Sequence, residues 1–138
     1  MIATAEWKTG MLFDGRSGSG HTIHFDADAA HTSGISPMEA VLTALCGCTS
    51  VDVVSILQKK REPLTSLVVS ADAQQAAEPP RVFTHIHLVY RVGGKVSKKA
   101  VEDAVSLSKN KYCSVSKMLE KSATIDFSIE YVDGAKSE

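Results

Sequence analysis

The chain has 138 residues, 43% apolar and 22% charged, a balance that fits one globular domain over residues 1–138 and excludes a disordered or fibrous protein. Its formal net charge of -1 gives no basic footprint for nucleic acid and no acidic excess for a basic partner, so the expected ligand is small or neutral. MIATAEWKTG lacks the basic and apolar stretches of a secretory signal, and three cysteines without paired spacing make no disulfide framework. The expected location is therefore the cytoplasm, where any cysteine pairing would be transient or catalytic.

In chain order, IATAEWK alternates as a strand with Ala3, Ala5 and Trp7 on one face, and HTIHFDA does so with Ile23 and Phe25. Between them DGRSGSGH reads as a Gly- and Ser-rich loop carrying Arg16, with no strand-to-helix context that would make it a nucleotide fingerprint. Ser36, Pro37 and Glu39 then spell a capping box that opens a helix. From Ala40 to Leu57 the only charge on it is Asp52, and it ends in Lys59, Lys60 and Arg61, which suit a C-terminal dipole. Such a helix is expected to be the buried centre of the fold. A membrane span is not expected, because Thr43, Gly47, Thr49, Ser50, Asp52 and Ser55 interrupt the apolar run.

LTSLVVSADAQQA reads as a strand, EPPR as a turn, and VFTHIHLVYRV as a strand with Ile86, Leu88, Tyr90 and Val92 on one face. Ser97 caps a helix with apolar spacing at Ala100, Val101, Ala104, Val105 and Ser108. SVSKMLEKS makes a shorter helix, and ATIDFSIEYV closes as an alternating strand. The order is α+β rather than alternating βα. One domain of this size cannot easily surround a helix that is apolar all round, and an intertwined dimer whose central helices pack between sheets would solve this.

On a helix each residue advances about 100°, so Cys46 and Cys48 point in roughly opposite directions and CGC is no metal or dithiol motif. Cys113 lies between two helical patterns in KNKYCSVSKML. By position it reads either as a small buried hydrophobe or as a thiol whose pKa a helix start lowers. Asp52 lies one turn beyond Cys48 and, if buried, needs a Ser, Thr or Lys partner. His85 and His87 share a strand face, but no further ligand has local spacing, so no metal or other cofactor is expected.

SPMEAVLTALCGCTSVDVV, with a Cys eleven residues after Pro37, and NKYCSVSKML together resemble the two cysteine motifs of the OsmC/Ohr family, nearest its YhfA-like branch. The resemblance runs over nearly the whole chain. It implies an OsmC-like fold, with antiparallel sheets and a long buried central helix in an intertwined homodimer. It also implies a cysteine-based organic hydroperoxide reductase in which Cys48 is the peroxidatic thiol, Cys113 the resolving one and an external dithiol the reductant. Cys46 has no counterpart and is left to packing. In the family's peroxidases an arginine held by a glutamate supplies positive charge to the thiolate, and Arg16 and Glu39 are the matching candidates. The family's glutamate directly follows the Pro, a place that Met38 holds here, so Glu39 sits about 100° further round the helix, where the capping box also explains it. A different reading, an OsmC-fold small-molecule-binding or redox-sensing protein with little peroxidase activity, rests on that offset and on Asp52.

Overall fold

The computed structural model describes residues 1–133, which fall into two compact units, Met1–Leu42 and the chain from Thr43 on. In the first unit, β1 (Ala3–Thr9), β2 (Leu12–Ser17) and β3 (Thr22–Asp26) form an antiparallel meander in the order β1-β2-β3. Trp7 is opposite Phe13, and Phe13 opposite Phe25. Gly10 makes the first turn at φ 55°, a left-handed conformation that favours glycine.

The stretch expected as a loop at DGRSGSGH is therefore divided. Asp14 to Ser17 belong to β2, and Arg16 stands on a strand opposite Thr4 and Thr22. Gly15 hid this strand. Its missing side chain makes room for the Phe25 ring, whose Cε2 lies 2.7 Å from where a Cβ would be. Beyond β3, Asp26 folds the polar loop by accepting the Asp28 and Ser33 backbone N–H groups at 2.9 and 3.1 Å.

Helix α1 (Pro37–Lys59) begins with the expected capping box. The Glu39 N–H donates to Ser36 Oγ at 3.1 Å, and the Ser36 N–H donates to Glu39 Oε1 at 2.8 Å. Only the stripe Leu45, Thr49, Val53 and Leu57 is buried, and Val51 is 69% exposed. The helix expected to be buried all round thus covers one side and leaves another apolar side open in the single chain. By length and composition alone it could cross a membrane.

The second unit holds β4 (Leu64–Gln75), β5 (Phe83–Gly94), α2 (Lys98–Leu107), a π-helical turn (Ser108–Tyr112), α3 (Ser114–Leu119) and β6 (Thr124–Asp133). Its sheet has the order β4-β5-β6. Ile86, Leu88, Tyr90 and Val92 alternate inward from β5 and are at most 1% exposed. They share the core with Val101, Ala104 and Val105 of α2. The sheets are antiparallel as expected except at β5–β6, which pair in parallel. The helices between these strands supply the long crossover that parallel pairing needs, a long-range outcome that strand periodicity does not carry. Gly94, at φ 109°, ends β5 where a Cβ would meet the Pro63 carbonyl.

Removing the capping hydroxyl with Ser36→Ala should cost about 1 kcal/mol, read as a lower urea midpoint. Glu39 ionises below its ordinary range chiefly because it accepts the Ser36 backbone N–H. Its contribution is therefore present at neutral pH and is lost on acidification below the usual carboxylate range.

Candidate functional site at the cysteine pair

Two polar residues interrupt the apolar stripes that meet in the second unit, Thr49 on α1 and Ser108 at the end of α2, and both are at most 1% exposed. A buried hydroxyl without a partner costs free energy, and these find each other. Thr49 Oγ1 lies 2.8 Å from Ser108 Oγ and 2.7 Å from the Tyr90 hydroxyl, and Ser108 Oγ lies 2.8 Å from Asp52 Oδ2.

The carboxylate fixes the direction of the chain. Ser108 spends its proton on Asp52, so it accepts from Thr49, and Thr49 accepts from Tyr90. Burial pushes the Tyr90 phenol up to about 12. Asp52 thus has the serine partner that its position called for. No motif in the sequence marks Thr49, Tyr90 and Ser108 as a site. The signal was there in Thr49 and Ser108, each a hydroxyl at a core position of its helix.

This relay holds Ser108, and Ser108 holds Cys113. The Cys113 N–H donates to the Ser108 carbonyl at 2.8 Å, closing the π turn. Cys113 then caps α3, its Sγ accepting the Ser116 N–H at 3.4 Å. The Cys48 thiol, next to Thr49 on α1, is near enough to Cys113 to bear on its ionisation. Burial, first, and the Cys48 contact push the Cys113 thiol up, while the Ser116 N–H pulls the other way. Burial therefore favours the protonated form of Cys113. Cys46 is half-buried, and desolvation raises its thiol also.

Of the sequence-predicted residues, the second unit brings Cys48 and Cys113 together. Arg16 and Glu39 belong to the first unit. Arg16 is exposed on β2 and borders a cavity of about 250 Å³ lined by Ala3, Thr4, Ile23 and Phe25. Glu39 is engaged in the α1 cap. On the outer face of the second sheet the Asp126 carboxylate bridges the two histidines, Oδ2 to His85 Nε2 at 2.8 Å and Oδ1 to His87 Nδ1 at 2.5 Å. Among the described residues no group of three or more His, Cys, Asp or Glu is placed to hold a metal ion.

A family profile described as OsmC-like protein matches residues 30–128. Protein YhfA of Escherichia coli strain K12 is 46% identical over 133 residues, 96% of this chain and 98% of that protein. Among solved structures, a hypothetical protein from Aquifex aeolicus is 29% identical with a TM-score of 0.81, covering 95% of this chain and 96% of that one. The organic hydroperoxide resistance protein OhrB of Bacillus subtilis is 12% identical with a TM-score of 0.68, over 94% of this chain and 96% of that one. At that identity the likeness shows the fold alone.

Thr49→Val should cost about 3 kcal/mol in urea unfolding, because it leaves both Tyr90 and Ser108 short of a buried partner. Ultraviolet titration should show one phenol ionising only near pH 12, absent in Tyr90→Phe. Since the folded value lies above the ordinary 10.0, stability from this group is full below pH 10 and is lost as pH climbs toward 12.

Proposed function

The chain belongs to the OsmC-like protein family, and from that premise we propose that it is a thiol-dependent peroxidase that reduces organic hydroperoxides. The observation that carries this reading is the nearness of the Cys48 and Cys113 thiols in the second unit. The fold shared with an organic hydroperoxide resistance protein supports it.

In the proposed cycle the Cys48 thiolate attacks the distal oxygen of ROOH. The O–O bond breaks, the alkoxide leaves and takes a proton to become the alcohol, and Cys48 becomes a sulfenic acid. Cys113 then attacks the Cys48 sulfur, an S–S bond forms, and the hydroxyl leaves as water with the proton from Cys113. An external dithiol reduces the disulfide and is itself oxidised. The raised Cys113 pKa suits this division of labour, since a thiol that keeps its proton is a poor first nucleophile but can supply that proton to the departing hydroxyl. Arg16 is the proposed source of positive charge for the thiolate, with Glu39 its proposed partner.

A second reading, small-molecule binding or redox sensing with little turnover, is favoured by one observation. The Glu39 carboxylate already accepts the Ser36 N–H in the cap. Steady-state reduction of cumene hydroperoxide with a dithiol separates the two. The peroxidase reading expects Cys48→Ser to lose at least about 10²-fold in kcat/KM, with Cys113→Ser consuming one equivalent and then stalling. Equal turnover by wild type and both variants would reject it.

The open side of α1 is proposed to pack against a second copy of the chain. Ser50, Val51, Val54, Ser55 and Gln58 line a shallow groove of about 410 Å³ there, with Val51 69% exposed on it. The mixture of buried hydroxyl bonding and polar interruptions favours a packed core helix over a membrane span, and the cytoplasm remains the proposed location. Sedimentation equilibrium should return twice the chain mass of 14.8 kDa, and Val51→Lys should shift it toward the single chain. A wild-type protein that sediments as a monomer throughout would contradict this.

A further inference from the structure

A second cavity, of about 320 Å³, lies along the C-terminal half of α1, lined by Asp52, Ser55, Ile56 and Lys59 of that helix, by Lys60 just beyond it, by Leu107 at the end of α2 and by Tyr112 of the π-helical turn. Neither Cys48 nor Cys113 lines it. Asp52, Ser55, Ile56 and Lys59 recur at helical spacing, so the cavity wall is one face of α1. From Asp52 to Lys59 that face runs about 10 Å at 1.5 Å per residue.

Its two ends differ in charge. Asp52 is engaged by Ser108 at one end. At the other, Lys60 is only 3.8 Å from Asp103, which Lys99 holds more closely at 3.1 Å. Lys59 makes no ion pair among the described residues. Between the ends stand Ser55, Ile56, Leu107 and Tyr112. Leu107 is 39% exposed and Tyr112 50% exposed, and the Lys111 ammonium sits 5.3 Å from the Tyr112 ring centre, adding a further cation near the rim. The lysines of the last turn suit the helix dipole, but that role does not explain why a leucine and a tyrosine face them across a cavity.

We propose that this cavity binds a small amphiphilic anion, its carboxylate at Lys59 and Lys60 and its hydrocarbon body against Ile56, Leu107 and Tyr112. The volume is near the lower end of the range for small-molecule sites, which suits a short hydrocarbon tail. Ordered this way, the head lies at the far end of the helix face from Asp52, and the tail covers the exposed apolar walls. The site is independent of the thiol chemistry, since a saturated carboxylate with no peroxide bond satisfies it.

The test is octanoate titrated into the reduced full-length protein and followed by backbone amide NMR, with octylammonium and octan-1-ol as matched probes. Octanoate should give saturable shifts at residues 52–60 and 107–112, and neither control should reproduce them at the same concentrations. The double substitution Lys59→Gln and Lys60→Gln, at the exposed C-terminus of α1 and just beyond it, should weaken octanoate about tenfold or more, the loss of about 1.4 kcal/mol or more of charge-assisted contact. Leu107→Ser should weaken it without restoring a preference for octylammonium. Cys48→Ser should bind octanoate as wild type does, which separates this result from success or failure of the peroxidase reading. Absence of saturable shifts, equal binding of octylammonium, or full affinity in the double variant would overturn the proposal.

Discussion

A hydroxyl buried in an apolar core must find a partner, and the hydrogen-bonded run from Tyr90 through Thr49 and Ser108 to Asp52 is how this molecule meets that constraint. The run joins β5, α1 and the end of α2. Because Ser108 opens the π turn and its carbonyl receives the Cys113 N–H, fixing Ser108 against α1 also fixes Cys113. Cys48 is the neighbour of Thr49, so the same contacts that satisfy a buried polar group hold Cys113 near it.

The electrostatics around the pair follow from its surroundings. Desolvation favours the protonated form of Cys113, and the Ser116 N–H at the start of α3 is too weak a counterweight at 3.4 Å to reverse that. A helix start alone would lower the thiol pKa, and here the balance has the opposite sign. The helix start is real, but the burial is larger. For the proposed cycle this suits a thiol that acts second.

Local chemistry carried much of the architecture. The capping residues Ser36, Pro37 and Glu39, the cap at Ser97 and the inward alternation of β5 all act over a few residues, and each was legible. What was not legible depends on distant partners. Strand β2 was concealed because Gly15 has no side chain to show periodicity, and its reason is the Phe25 ring on the neighbouring strand. The parallel pairing of β5 with β6 depends on where the crossover helices pack. At the site, helical spacing separated Cys46 from Cys48 but could not say which of them meets Cys113. By spacing Ser108 is one more core position of α2, whereas its hydroxyl is the link between Thr49 and Asp52.

The measurement closest to the central claim is intact mass with a free-thiol count on the reduced protein, before and after a single equivalent of cumene hydroperoxide, for wild type and Cys48→Ser. A Cys48–Cys113 cycle predicts rapid loss of two thiols and of two hydrogen atoms in mass for the wild type, with no disulfide formed in the variant. Three persistent thiols in the wild type, or the same loss in Cys48→Ser, would contradict it.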